Sequence, residues 1–302
     1  MTFVATHGHH EAHHHGHVRL DEADWRARVT QTELEGELLL AFVTDTAAWV
    51  NELRGPDAPP VRRVLDIGSG PGVSTCELAR LFPDAHVVAV DGSPAMLDRA
   101  RQRATAHGLD DRIGTHLAEL PDGLDNINPV DLIWASMSLH HIGDEIAALH
   151  VLGDLLDPSG LLSIAELAEP MRVLPDGLDV GRPGLVDRLD SAEAKWFAAM
   201  RDGLAGAVAS TDLSLMLTSA GLDTVGSKLA RRRFDPPLSD DARQVVLGRL
   251  RRARQQLDEL LDEDDLGALN VLSDADDPRG VLYRSDVFVA ASRQILIARR
   301  SR

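Results

Sequence analysis

Residues 64–72 read Val-Leu-Asp-Ile-Gly-Ser-Gly-Pro-Gly, and nineteen positions further on the apolar run from His86 to Val90 ends in Asp91. A short apolar run that breaks into glycines is the pattern of a buried strand opening onto a ligand, because glycine lets backbone approach where a Cβ would intrude. An acidic residue at the tip of the next run is placed to accept both hydroxyls of a ribose. Together they point to a nucleoside-containing cofactor. Gly68, Gly70 and Gly72 alternate as G-x-G-x-G, Pro71 stiffens the turn, and Val73 stands where a dinucleotide fingerprint has its third glycine. Two further sets of groups can move protons near neutral pH: the adjacent His140 and His141 after a fourth apolar run, and Glu166 at the end of a fifth.

These segments together resemble class I S-adenosylmethionine (SAM)-dependent methyltransferases. The glycine loop is similar to that family's first motif, and Val90-Asp-Gly-Ser-Pro-Ala-Met-Leu97 to its second-strand motif. Asp131 to His141 and Leu155-Leu-Asp-Pro-Ser-Gly-Leu-Leu162 continue the likeness, which spans residues 61 to about 168. The resemblance implies a Rossmann-like sheet of seven mostly parallel strands, the last antiparallel, with SAM as cofactor. It places Asp66 by the loop amides or the cofactor's amino group, Gly68 and Gly70 under its methionine part, Asp91 on the ribose and Met96 against the adenine. Glu119 stands where the family usually has Asp for the adenine amino group. Ser69, Gly72, Gly92, Ala118 and Ser136 complete the expected cofactor contacts.

Methyl transfer is an in-line displacement at an already activated sulfonium, so positioning dominates and a base is needed only when the acceptor must lose a proton. His140, His141 and Glu166 are the candidate catalytic groups, and no metal is expected in the reaction. The segment Trp134-Ala-Ser-Met137 lacks the Pro-Pro-Tyr/Phe pattern of enzymes that methylate nucleic-acid bases. The stretch Trp134 to His141 likewise lacks the Asp and Asn ligands of metal-dependent catechol-type enzymes. Cys76, the one cysteine, lies on the helix leaving the glycine loop and reads as a packing residue rather than a nucleophile. The expected acceptor is therefore a small molecule, methylated on O or N. An NAD(P)-dependent oxidoreductase on a similar sheet is the alternative reading. A non-catalytic SAM-binding protein is the third, kept open by Glu119 and by Asp157-Pro-Ser159, where the family commonly has Arg-Pro-Gly.

The elements that must hold these groups follow from periodicity. Strands are expected near 62–67, 86–90, 112–117, 130–136 and 160–166, with helices near 73–82, 94–107 and 144–156, the rhythm of a parallel sheet covered on both faces. Asp144 reads as a helix N-cap and Asp157 to Gly160 as the turn ending that helix. Residues 21–60 read as an N-terminal helical cap and 61–170 as the cofactor core. Residues 171–210 form a helical lid, 211–238 a core helix and strand, 239–280 a helical insertion, and 281–302 a closing strand. Within the insertion a helix over 239–261 puts Val246, Leu250, Leu257 and Leu260 on one face and arginines on a solvated one. Asp262 to Asp265 suit the start of a further helix.

Composition narrows the partners. With 48 acidic against 31 basic residues and a formal net charge of −17, a polyanion such as nucleic acid is not expected. No membrane span and no signal peptide are read, and a single cysteine fits a cytoplasmic protein, with a homodimer possible. Seven histidines crowd residues 7–17 without the defended spacing of a metal site, and residues 1–20 are expected to be a disordered tail.

Overall fold

The computed structural model describes residues 22–207 and 212–301. Among them the apolar runs form seven strands: β1 Arg63–Ile67, β2 His86–Asp91, β3 Ile113–Leu117, β4 Val130–Ser136, β5 Leu156–Leu167, β6 Leu222–Phe234 and β7 Val289–Arg300. The helices are α1 Glu22–Leu38, α2 Ala41–Arg54, α3 Val73–Leu81, α4 Pro94–Ala106, α5 Glu145–Asp154, α6 Leu185–Asp202, α7 Leu213–Ser219, α8 Asp240–Gln256 and α9 Glu263–Ser273. The histidine tract lies outside the described residues.

The strands make one sheet in the order β3-β2-β1-β4-β5-β7-β6. The first five are parallel, and β7 runs antiparallel between β5 and β6. This is the seven-stranded, mostly parallel sheet the sequence predicts. Val64, Leu132 and Ile297 bury one face under α2 and α3, while Leu65, Ile133 and Leu296 bury the other under α5 and α7. That is why the central strands read as continuous apolar runs rather than alternating ones.

Register brings the chemistry to one edge. Ile67 pairs with Val90 and Ala135, Asp91 with Leu117, and Ser136 with Ala165. Gly68, Asp91, Ala118, the 138–141 turn and Glu166 therefore leave the sheet side by side at its carboxyl end, where ligands bind in such sheets.

Caps set the helix starts. The Ser93 hydroxyl accepts from Met96 N, Asp144 from Ala147 N and Asp262 from Asp265 N. Glu263, Asp264 and Asp265 then place negative charge on the positive end of α9.

Two expectations need correction. Asp157 to Gly160 do not form a turn closing α5. They are the start of β5, where pairing jumps from Val130–Leu156 to Leu132–Leu161. The extra residues bulge outward, which tolerates the missing N–H of Pro158, and Asp157 accepts from Arg63 at 2.7 Å. Helix α8 ends at Gln256, so Leu257 is buried while Leu260 is 43% exposed and leaves the apolar stripe.

A second core lies beyond the sheet. Leu39 and Phe42, the 171–192 region, α8, α9 and Val287–Ala291 pack together there. Helix α1 bridges this unit and the sheet layer. Gln31 donates to the Val245 carbonyl of α8 at 3.0 Å, and Glu33 meets Arg99 of α4 at 2.7 Å and Arg103 at 3.2 Å. Thr32, between these anchors, lies over Gly70, and Gly36, about one turn further on, abuts Val73. The helix thus crosses the glycine loop.

Candidate active site

Two glycines explain the loop. Gly68 has φ +65°, and any Cβ there would collide with Ser138; Gly72 has φ +81°, and its Cβ would stand 2.8 Å from that of Ala100. Left-handed backbone in close contact suits only glycine. The amides of Gly68 and Ser69 donate to the Val90 carbonyl at 2.8 and 3.1 Å, which ties the loop to β2. Asp91 holds it from the other side, its Oδ2 accepting from Gly70 N at 2.9 Å and its Oδ1 from Ser93 N at 2.8 Å. Each carboxylate oxygen keeps a further lone pair. The hydroxyls of Ser69 and Ser138 are buried beside the loop without a partner among the described residues.

Around this loop, Met96 is buried at the start of α4, and Ala118 packs in the core below. The Glu119 side chain lies across Gly92, whose missing Cβ makes room for it. Ser136 ends β4.

Asp66 does not hold the loop amides. It is 2% exposed, and its Oδ2 accepts from the Thr75 hydroxyl at 2.6 Å. Burial raises its pKa to about 7, against the lowering effect of the Thr75 bond and with a smaller push from Asp91. Because the folded pKa lies above the unfolded one, its contribution to stability is intact below about pH 4 and is lost as pH rises through about 7. Asp66→Asn keeps an acceptor for Thr75 and cannot ionise. It is expected to stabilise the fold by roughly 2–4 kcal/mol at pH 8 and little at pH 4. Equal denaturation midpoints for variant and wild type at pH 8 would refute this.

The proton-moving groups meet at the neighbouring strand ends. Glu166, 7% exposed, accepts through Oε1 from the amides of Ser138 (3.1 Å) and Leu139 (2.9 Å). Its Oε2 lies 2.6 Å from His140 Nδ1. A carboxylate only accepts, so Nδ1 carries the hydrogen, and in the neutral imidazole this leaves the lone pair on Nε2. Met137, in the same turn, has φ +56°, a strained value for a residue with a side chain. Phe197 of α6 tilts over His140 with ring centroids 5.7 Å apart. From the same helix Arg201 reaches the His140 carbonyl at 3.4 Å and pairs with the buried Glu145.

His141 lies 4.1 Å from the His140 ring. Burial first, then the charges of His140, Arg28 and Arg201, lower its pKa to about 4 against a raising effect of Glu166, so it stays neutral at ordinary pH.

Among the groups singled out from sequence, His140 and Glu166 come into direct contact, as do Asp91 and Gly70. The arginine face of α8 is not simply solvated: Arg249 bonds both oxygens of Glu193, and Arg252 meets Glu35 at 3.3 Å. Sequence reading missed Thr75, on the helix that leaves the glycine loop, and Phe197 and Arg201, which approach from the distant α6. The polar stripe Arg28, Gln31, Thr32 and Glu35 on α1 was a signal, at helical spacing. A cavity of about 590 Å³ lined by Asn51, Arg54, Pro59 and Phe82 lies at the amino ends of the strands, away from these groups.

Residues 64–160 match a family described as a methyltransferase domain. The chain carries a class I SAM-dependent methyltransferase domain. Trans-aconitate 2-methyltransferase of Methylobacterium radiotolerans is 36% identical over 163 residues, 50% of this chain and 59% of the relative. Its counterpart from Variovorax paradoxus is 33% identical over 138 residues, 46% of this chain and 48% of the relative. The chain thus spans about half the length of the curated relatives it matches. A candidate methyltransferase from Bacillus halodurans C-125 shares the fold at a TM-score of 0.52 and 14% identity, over 87% of this chain and 99% of that one. An O-methyltransferase family protein from Burkholderia thailandensis does so at 0.51 and 14%, over 93% and 60%. SAM is the cofactor of this methyltransferase domain. No helix among its described residues is long and apolar enough to cross a membrane.

Proposed function

We propose that this chain methylates a hydroxyl oxygen of a small molecule, with His140 taking the hydroxyl proton and Glu166 holding the imidazole in the basic tautomer. The observation that carries this reading is the 2.6 Å contact between His140 Nδ1 and Glu166 Oε2, with the other carboxylate oxygen bound to two backbone amides. An uncharged hydroxyl gains most from a base, because it loses its proton only as the methyl group arrives. The relatives named for trans-aconitate suggest a carboxylic acid acceptor instead. An ionised carboxylate, however, would leave the His140–Glu166 pair without a proton to take.

The cofactor would rest on Gly68, Ser69, Gly70 and Gly72, with Asp91 and Gly92 toward the ribose. Met96, Ala118 and Glu119 would lie toward the adenine, and Asp66 and Ser136 toward the methionine part. The unpartnered buried hydroxyls of Ser69 and Ser138 support this fit, as does the left-handed glycine backbone beside them. When bound, SAM supplies a methyl group on a sulfonium sulfur. The chain's own residues bind and orient the acceptor and remove its proton.

SAM and S-adenosylhomocysteine are expected to raise the melting temperature, while NAD and NADP leave it unchanged. A panel of small hydroxylated compounds should then release S-adenosylhomocysteine, with trans-aconitate as comparator. Stabilisation by a nicotinamide cofactor alone would sink the methyltransferase reading. Turnover of trans-aconitate without turnover of any hydroxyl compound would replace the hydroxyl by a carboxylate. SAM binding without turnover of either would leave a binding protein.

A further inference from the structure

Helix α6 crosses the His140 turn, and one stripe of its residues fastens it there. Glu193, Phe197 and Arg201 stand at i, i+4 and i+8 and so share a face. At one end both oxygens of Glu193 accept from Arg249 of α8, at 3.0 and 2.7 Å. At the other end Arg201 pairs with Glu145 and reaches the His140 carbonyl at 3.4 Å. Phe197 lies between these anchors, its ring centroid 5.7 Å from that of His140. Just past α6 the junction is tight. A Cβ at Gly143 would collide with the Ala205 carbonyl, and one at Gly206 would press on Asp144.

Glu145 explains the second anchor. It opens α5 directly after the His140 turn and is only 2% exposed, so its carboxylate needs a counter-charge from within the protein. Arg201 supplies one from α6 with a planar fork, one arm on Glu145 and the other toward the His140 carbonyl. The turn is thus held at its start by Glu166, which accepts from Ser138 N and Leu139 N, and at its end by Arg201.

His140 needs more than its contact with Glu166 to serve as a base. The 2.6 Å bond fixes Nδ1 but leaves the ring free to swing about that atom, and such a swing carries Nε2 away from the acceptor hydroxyl. A second ring packed against the imidazole restricts the swing. We propose that Phe197 and Arg201 are positioning residues of the reaction: Phe197 fixes the plane of the His140 ring, and Arg201 fastens α6 to the turn so that Phe197 stays on it. Both act through His140, so this rests on the preceding reading of His140 as the base.

The test uses the full chain with S-adenosylhomocysteine bound and reads the His140 ring directly. Nitrogen-15 NMR of the wild type should show one Nδ1–H signal protected from solvent. Phe197→Leu keeps apolar bulk without a flat ring, and Arg201→Lys keeps a charge for Glu145 without the second arm. Each should speed exchange of that proton about tenfold or more, with S-adenosylhomocysteine affinity unchanged. Glu145→Gln combined with Arg201→Gln, which removes both charges together, should do the same. With an acceptor, kcat should fall about tenfold to a hundredfold at unchanged KM, the scale of a misplaced catalytic group. In the His140→Ala background the same substitutions should cost almost nothing further, because their effect passes through that ring. Proton exchange at the wild-type rate in both Phe197→Leu and Arg201→Lys would overturn the proposal. So would equal losses of kcat with and without His140, which would make α6 a structural support only. Failure of the base reading looks different: His140→Ala then keeps full turnover, or the wild-type ring carries no hydrogen on Nδ1, and the positioning role falls with it.

Discussion

Glu166→Gln is expected to lower turnover by roughly 10²–10⁴-fold, the range of a lost general base, while S-adenosylhomocysteine affinity stays at the wild-type value. The glutamine carbonyl can still accept from Ser138 N and Leu139 N, so the turn keeps its place. Its amide would then face His140 Nδ1 as a donor, which forces the proton onto Nε2 and removes the lone pair the acceptor needs. His140→Ala should lose as much, and the double variant little more, because the two residues act as one device. Nitrogen chemical shifts of the His140 ring give a readout independent of any acceptor: hydrogen on Nδ1 in the wild type, on Nε2 in Glu166→Gln. A wild-type ring already protonated at Nε2, or full turnover in the variant, would leave positioning as the only catalytic contribution of this turn.

The second large effect is expected at Asp91. Asp91→Ala should weaken SAM binding by about 3 kcal/mol or more, a hundredfold or greater loss, for two reasons. The variant loses the proposed ribose contact, and it also releases Gly70 N and Ser93 N, which the carboxylate holds at 2.9 and 2.8 Å. The fold should survive, since the residue ends its strand and the sheet register is set by Val87 to Val90. Asp91→Asn separates the contributions, because an amide oxygen can hold one of the two backbone donors but brings no charge to the ribose. Unchanged SAM affinity in a folded Asp91→Ala protein would remove Asp91 from the site.

The sheet and its edge were legible because their causes are local. Val64, Leu65 and Ile67 place apolar side chains on both faces of their strand, Gly68 and Gly72 allow backbone that no other residue adopts cheaply, and Ser93, Asp144 and Asp262 cap the helices they precede. Each of these signals needs only a few neighbouring residues. Where a local signal competed with pairing, pairing prevailed: Asp157-Pro-Ser-Gly160 has turn composition, yet β4 draws it into the start of β5 as a bulge.

By itself the sequence determined the parallel sheet, the glycine loop with Asp91 behind it, and the presence of His140, His141 and Glu166 at strand ends. It did not determine which of these groups touch. Glu166 lies 26 residues from His140, and only the β4–β5 register places its carboxylate on Nδ1 rather than in solvent. The difference between the two histidines is likewise tertiary: one imidazole is held by a carboxylate, while crowding and nearby cations keep its neighbour neutral. Arg201 is an ordinary arginine in the linear chain. It finds the His140 carbonyl and Glu145 only where α6 packs on the turn, because burial and the distance to the next carboxylate are properties of packing that no local pattern encodes.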